Sequence, residues 1–432
     1  ANTTGTSNVA VGHYDGSTIS ALRTNTTGSY NVAIGVGALA SNSTADYNTA
    51  SGYYALYANT TGTENTAVGA LALDANTTGG YNAAFGYMAL TANTTANENC
   101  AFGYASLAAN TTGTYNVASG ANSLYTNTTG SNNTASGYYA LGANTTGYGN
   151  AASGYKALRT NTTGDYNTAS GMYALHLNTT GERNTACGYY ALQANTTGLR
   201  NTALGMSTLV NNTTGSYHTA SGYGALHLNT TGNYNTANGY YALYENTTGN
   251  YNVASGFEAL ALNSTGSDNT ASGYHALYSN TTGIRNTAIG FGAGSTITTG
   301  DYNLCLGYDA EPSSATVDDE VVLGDSHIAT LRCNTSTISA LSDARDKTEV
   351  EPSPLGVDFL NTLNPVKFKW DTREGNSKDG THEIGFIAQE LQEVQKESNT
   401  EYLKMVIDEN PDRLEASYGQ LVPILVQAIK EL

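Results

Sequence analysis

Residues 161–177 read NTTGDYNTASGMYALHL, and residues 178–194 continue NTTGERNTACGYYALQA. The phrase starts at Asn25 and returns every 17 residues, without deviation, in 16 copies to Asn280. A degenerate copy begins at Ile297, and an earlier one at Asn2 carries six extra residues. Asn-Thr-Thr-Gly is turn chemistry: Gly tolerates positive φ, and an Asn side chain bonds its own backbone. The following N-T-A-S-G alternates its side chains between two faces, as a short strand does. One face carries Asn, Ala and Gly, and Ala fills its slot in all 16 copies. The other carries Thr, Val, Ala or Cys, then mostly Ser, Ile, Phe, Leu or Val. An unvarying Ala implies backbones in close approach, and the Leu of "AL", present in 15 of 16 copies, is the expected core ladder. Two Gly and a β-branched run per unit make a helix costly. A unit too small to bury a core alone, repeated at constant period, predicts a stacked parallel β-solenoid or β-roll. At about 4.8 Å per turn the repeats make a rod roughly 80 Å long.

Composition agrees. The 432 residues include 48 Gly and 32 Tyr but one Trp, a bias unlike that of a compact enzyme domain. Residues 1–300 carry six Lys/Arg and ten Asp/Glu, while residues 301–432 carry 11 and 25. That imbalance marks a boundary near 300, and the net charge of −18 argues against nucleic acid as a partner. No membrane insertion, cofactor or metal site is read from the sequence, since there is no long apolar run and no paired Cys/His motif. Cys100 and Cys187 sit five turns apart, roughly 24 Å, too far for a disulfide. The sequence opens on Ala1 inside a repeat, so the natural N-terminus is expected further upstream.

Repeat motifs such as NVAIG (31–35) and NTAIG (286–290) resemble the heads of trimeric autotransporter adhesins, and the longer unit is similar to shafts of marine phage fibres. The resemblance covers about residues 1–308 and implies a left-handed, trimeric β-roll. The surface admits several readings. Each Asn-Thr-Thr is an N-x-[ST] sequon, read first as the turn a solenoid needs. Tyr53, Tyr138, Tyr189 and Tyr240 could stack on glycans, or equally cover the roll and fill a trimer seam. The acidic residues of 1–300 occupy different slots and form no carboxylate pair of the kind glycan cleavage needs.

The phrase decays after Gly300, giving a division into a shaft (1–300), a β neck (301–341) and a C-terminal domain (342–432). In the last, Leu355, Phe359 and Leu363 predict a helix stopped by Asn364-Pro365, and Val366, Phe368 and Trp370 a strand. Ile384, Ile387, Leu391 and Val394 predict a second helix. Tyr418, Leu421, Leu425, Ala428 and Leu432 predict a coiled-coil seam, giving a small α+β domain with a terminal coiled-coil helix. SDARDK (342–347), GFIAQE (385–390) and YGQLVPILVQAIKEL (418–432) resemble, in order, the endosialidase-type intramolecular chaperone that ends many phage tail fibres and spikes.

That resemblance implies a homotrimer that sets three fibre chains in register and then cuts itself off. By the same resemblance Ser342 is the nucleophile, Lys347 its base, and Leu341–Ser342 the scissile bond. A Ser hydroxyl attacks only once a base takes its proton, and a Lys serves only with a depressed pKa. Arg345 would help that depression, and Asp343 would oppose it unless paired with Arg345. Read alone, SDARDK is a solvated connector; with the other two motifs downstream, the dyad reading leads. The function expected is a phage tail fibre or spike shaft in an extracellular virion, joined upstream to a virion anchor and attaching to a host-surface glycan or protein receptor. The alternative is a bacterial surface adhesin that retains the domain; the end at Leu432 without a membrane-anchor barrel favours the phage reading. A peptidase acting on other proteins is the least favoured, since no substrate cleft is legible.

Overall fold

A computed structural model describes residues 2–12, 20–328, 347–371, 380–407 and 414–432. Nineteen three-residue strands, from β1 (Val9–Val11) to β19 (Val321–Leu323), form one parallel sheet in chain order. Each strand pairs with the copy 17 residues on: Thr168 faces Thr185, Ala169 faces Ala186 and Ser170 faces Cys187. The six extra residues near the start are absorbed without loss of register, since Val9 pairs with Val32. The ladder does not stop at residue 300: Leu304–Leu306 pairs with both Thr287–Ile289 and Val321–Leu323. Two of the described rungs thus lie in the span read from sequence as neck.

The expected small core is present. The middle Ala of the strand and the Ala-Leu pair beyond the Gly line the interior, as at Ala135, Ala140 and Leu141, all fully buried. The Leu is held in the left-handed region (φ +50° at Leu141), which costs an L-residue roughly 1–2 kcal/mol. The turn retains it because the Leu141 N–H donates to Ala157 O one turn on, and Leu141 O accepts from Asn144 N–H.

Two buried Asn ladders replace what a larger protein would build from apolar side chains. The turn Asn donates back one turn and also to its own Gly carbonyl: Asn161 Nδ2 lies 2.8 Å from Asn144 Oδ1 and 2.9 Å from Gly164 O. The second Asn accepts a backbone N–H from the next turn, as Asn150 Oδ1 does from Asn167 N at 2.9 Å. The Thr after the turn Asn serves the stack too, Thr162 Oγ1 donating to Thr179 O. The sequon Asn is therefore structural: its amide is buried and doubly bonded, so a glycan could be attached there only by dismantling the ladder.

One rung tests this design. His218 stands in the second Asn slot, 1 % exposed, with Nε2 2.7 Å from Gly232 O and Nδ1 3.2 Å from Asn235 N. The partners define a neutral ring, Nε2–H donating and Nδ1 accepting. Burial, opposed by those two backbone bonds, lowers its pKa to about 4. A folded pKa below the unfolded one means the rung is fully stable above about pH 6.5 and loses stability as pH falls towards 4. That loss is roughly 3 kcal/mol once both states are protonated. His218→Asn should abolish it, so the melting temperatures of parent and variant should diverge between pH 6.5 and 4. Parallel pH curves would refute the assignment.

Candidate functional site

The C-terminal domain builds its own core from Phe359, Leu363, Leu391, Met405, Leu421 and Ile424. Pro365 disfavours helix at the residue before it, and α1 accordingly spans only Val357–Leu360. The chain then enters β20 (Val366–Lys369), which alternates half-buried and exposed residues and pairs antiparallel with β21 (His382–Gly385). Here the sequence reading needs correction. Ile384 lies in β21, 79 % exposed, and Ile387 is the N-cap of α2 (Ala388–Glu397), so the helix holds only Leu391 and Val394 of the four. Apolar residues three apart across a strand end and a helix start mimic one helical face.

Helix α3 (Leu421–Glu431) takes Pro423 in its first turn, where the missing N–H costs nothing. The five residues read as a seam do not share one environment. Leu421 and Ala428 are buried together with Ile424, while Leu425 and Leu432 are 46 % and 96 % exposed, beside Val422, Val426 and Ile429. Any amphipathic helix shows 3-4 spacing, and a helix apolar on both sides offers two such stripes. The inner one packs on this domain; the outer one is left exposed among the described residues.

Two of the three motifs meet. The Phe386 N–H donates to Tyr418 Oη at 3.3 Å, and the two rings make an edge contact at 5.5 Å. A Cβ on Gly385 would approach that Oη to 2.7 Å, so Gly is what lets GFIAQE reach the tyrosine of YGQ. The chain end is also tied in: Glu431 Oε2 accepts from Val357 N at 2.8 Å, and that bond, with one from Gln427, lowers its pKa. An open cleft of ≈ 460 Å³ lies beside this junction, between Leu355, Phe359, Thr362, Ser398 and Glu431. Among the described residues its lining holds the carboxylates Asp358 and Glu431 but no Lys or His.

Lys347 is described and exposed. Leu341, Ser342, Asp343 and Arg345 lie outside the described residues, so the dyad geometry is not on view. Among the described residues no group of three or more His, Cys, Asp or Glu is placed to hold a metal ion. No described helix is long and apolar enough to cross a membrane.

On the shaft, the aromatic slots form columns. Tyr223, Tyr240, Phe257, Tyr274, Phe291 and Tyr308 stack at 4.9–5.3 Å with planes within 16° of parallel. Tyr138 stacks likewise on Tyr155 at 5.5 Å, and Tyr53 and Tyr189 lean on their neighbours Tyr54 and Tyr190. Ring faces turned to one another along the column supply roughly 0.5–1.5 kcal/mol per pair, while the rings remain partly exposed to solvent.

No curated protein and no solved structure matches the chain. A family model does, over residues 342–400, described as chaperone of endosialidase. The matched span holds the α1–β20–β21–α2 core just described, so the 19-rung parallel β-solenoid is followed by a stretch that is similar to the chaperone-of-endosialidase family.

Proposed function

We propose that the protein is a homotrimeric tail-fibre or spike shaft for host attachment, aligned by its C-terminal chaperone domain, which releases itself by cleavage at Leu341–Ser342. The observation that carries the reading is the coupling of that domain to a shaft of nearly identical rungs. Side-by-side chains of such rungs have a register problem, because slipping one chain by a full turn changes almost no contact and leaves little energy gap. Long-range assembly is also slow and exposes unpaired edges. A separate, non-repeating domain that trimerises first removes both difficulties. Its outward stripe on α3 suits that task, with Val422, Leu425, Val426 and Ile429 exposed among the described residues. Cleavage afterwards would make the shaft kinetically stable by removing the route back.

In this reading the Ser342 hydroxyl attacks the Leu341 carbonyl as Lys347 takes its proton and returns it to the leaving amine. The C–N bond is exchanged for an ester to the serine oxygen, and water then hydrolyses that ester, freeing the Leu341 carboxylate and the domain. Arg345 and Asp343 set the local charge. The shaft is extracellular, on a virion, with a further segment joining it to the particle and a receptor on the host surface. Intact mass under denaturing conditions tests the cleavage. The parent chain should split after Leu341, and Ser342→Ala should stay whole while still forming trimers. Full-length parent in stable trimers would instead mark a retained chaperone, as in the surface-adhesin alternative, and remove Ser342 and Lys347 from a catalytic role.

A further inference from the structure

We propose that residues 294–320 form a clasp that ends both interior Asn ladders inside the solenoid and holds its last described turns closed without help from the domain that follows. The repeat phrase breaks twice in quick succession. Gly294 stands where 15 of 16 copies place Leu, and the next copy opens on Ile297 in place of Asn. The backbone is unchanged by either. Gly294 keeps the left-handed φ of Leu277 (+60° against +52°), and its N–H donates to Ala310 O. Ile297 N–H donates to Gly294 O as Asn280 N–H does to Leu277 O. What moves is the side chain. A Cβ on Gly294 would stand 3.1 Å from Leu277 Cδ2 and 3.2 Å from Ile297 Cδ1, so the fully buried Ile297 fills the room that Leu holds in other copies.

The exchange stops the first ladder. Asn263 Oδ1 accepts from Asn280 Nδ2 at 2.8 Å, but Ile297 has no side-chain donor, and Asn280 Oδ1 is buried without a hydrogen-bond partner. Such an orphan is unfavourable. Asn at 297 would have supplied its donor, yet the chain sets an apolar side chain there. The second ladder stops at Asn303. Its Oδ1 still accepts from the next turn, at Glu320 N, 3.0 Å away. Glu320 stands in the Asn slot, but a carboxylate has no amide donor to pass on. Its Oε2 accepts instead from Ser313 N and Oγ, at 3.0 and 2.8 Å.

Glu311 completes the clasp. It occupies the Leu slot of its turn, and its carboxylate folds back onto the turn before, accepting from Ser295 Oγ, Thr296 Oγ1 and Thr296 N. Burial, with Glu311 and Glu320 adding, pushes the Cys305 thiol up to about 12, so both carboxylates act on one rung. A sequence that had merely drifted from its phrase would lose partners. Here Ile297 meets Gly294, Glu311 meets Ser295 and Thr296, and Glu320 meets Ser313, all within the solenoid. A stacked solenoid needs a distinct closing turn, since an uncapped end exposes its interior. The clasp does not depend on the trimer or the cleavage proposed above, but it supplies what a released shaft would need.

The test is amide hydrogen exchange in the full chain carrying Ser342→Ala, which stays whole whether or not the parent cleaves. Rates at Thr287–Ile289, Leu304–Leu306 and Val321–Leu323 are read against Thr168–Ser170 in the middle of the stack. Ile297→Asn and Gly294→Leu should each speed exchange at the first two strands by about tenfold or more, one by leaving a cavity and the other by overpacking. Together they rewrite the repeat phrase, and the rate should return to within about threefold of the parent. Glu311→Ala with Glu320→Ala should speed exchange at Leu304–Leu306 and Val321–Leu323 by about tenfold and leave Thr168–Ser170 unchanged. Cutting the C-terminal domain from the folded chain, at a protease site inserted between residues 329 and 341, should change no rate by more than about threefold. Single effects that add up in the double variant, or carboxylate variants that exchange like the parent, would overturn the clasp. A rise of about tenfold on cutting would show that the following domain closes the end, and overturns it equally. None of these readings needs Ser342 to act, so they stand or fall apart from the release reading.

Discussion

Gly171→Val is expected to divide the shaft into two independently melting pieces. Gly171 has φ +136°, a conformation L side chains rarely adopt, and an added Cβ would stand 2.4 Å from Gly188 O in the next turn. The obstacle is backbone, so no rotamer escapes it. Relief requires the two turns to separate, at the expense of the 2.8 Å bond from Gly188 N to Ser170 O. Strain of about 1–3 kcal/mol for the dihedral, with the overpacking and the lost bond added, puts the local cost above about 4 kcal/mol. A solenoid is stabilised by nearest-neighbour contacts, so turns on either side remain folded. Limited proteolysis should therefore open a new site close to residue 171, and calorimetry should resolve two transitions. Thr163→Val, at an exposed turn position, is the control and should melt like the parent. One transition at the parent temperature, with no new cleavage, would show that the Gly stack does not set the spacing between turns.

Asn161→Asp tests the other structural device with almost no change in shape. The Asn161 side chain is fully buried, donates to Asn144 Oδ1 and Gly164 O, and accepts from Asn178 Nδ2 at 2.8 Å. An aspartate keeps the acceptor but turns both donor contacts into oxygen facing oxygen, and it buries a charge. Removing a buried donor costs about 1–3 kcal/mol and an uncompensated charge brings the total to about 3–5 kcal/mol at neutral pH. Burial disfavours the charged form, so the folded-state pKa of the new carboxyl lies above its unfolded value. Stability relative to the parent should then recover as pH falls, because the protonated acid can donate one of the lost bonds. Melting curves of parent and variant at pH 7 and pH 4.5 measure this. An equal deficit at both values would mean that the ladder depends on shape rather than on its donors.

The fold was legible because the repeat compares a residue with itself. Invariance of Ala135 and its equivalents, beside free variation at Tyr138, separates interior from surface without any second sequence. Less visible was how Asn is used. Both Asn slots read as turn or strand chemistry, and nothing in the local pattern says that their amides bond across turns 17 residues apart. The left-handed backbone at Leu141 was hidden too, since Leu is among the last residues that a turn rule would place there. In the C-terminal domain the spacing of Leu355, Phe359 and Leu363 located a helix but overstated its length. The run from Ile384 to Val394 joined a strand to a helix, because spacing alone cannot tell one continuous face from two short ones. The motif residues Phe386 and Tyr418 were found by likeness alone; their contact needs the fold.

The sequence by itself determined that this protein is a stack of 17-residue turns ending in a different domain. Period, turn chemistry and small invariant side chains are local properties, repeated often enough to leave one architecture. Only the tertiary structure decided which polar groups are buried, that the ladder runs on past residue 300, and which stripe of α3 faces its own core. Those outcomes depend on neighbours one turn away or a domain's width away, and burial of a side chain is a property of what covers it.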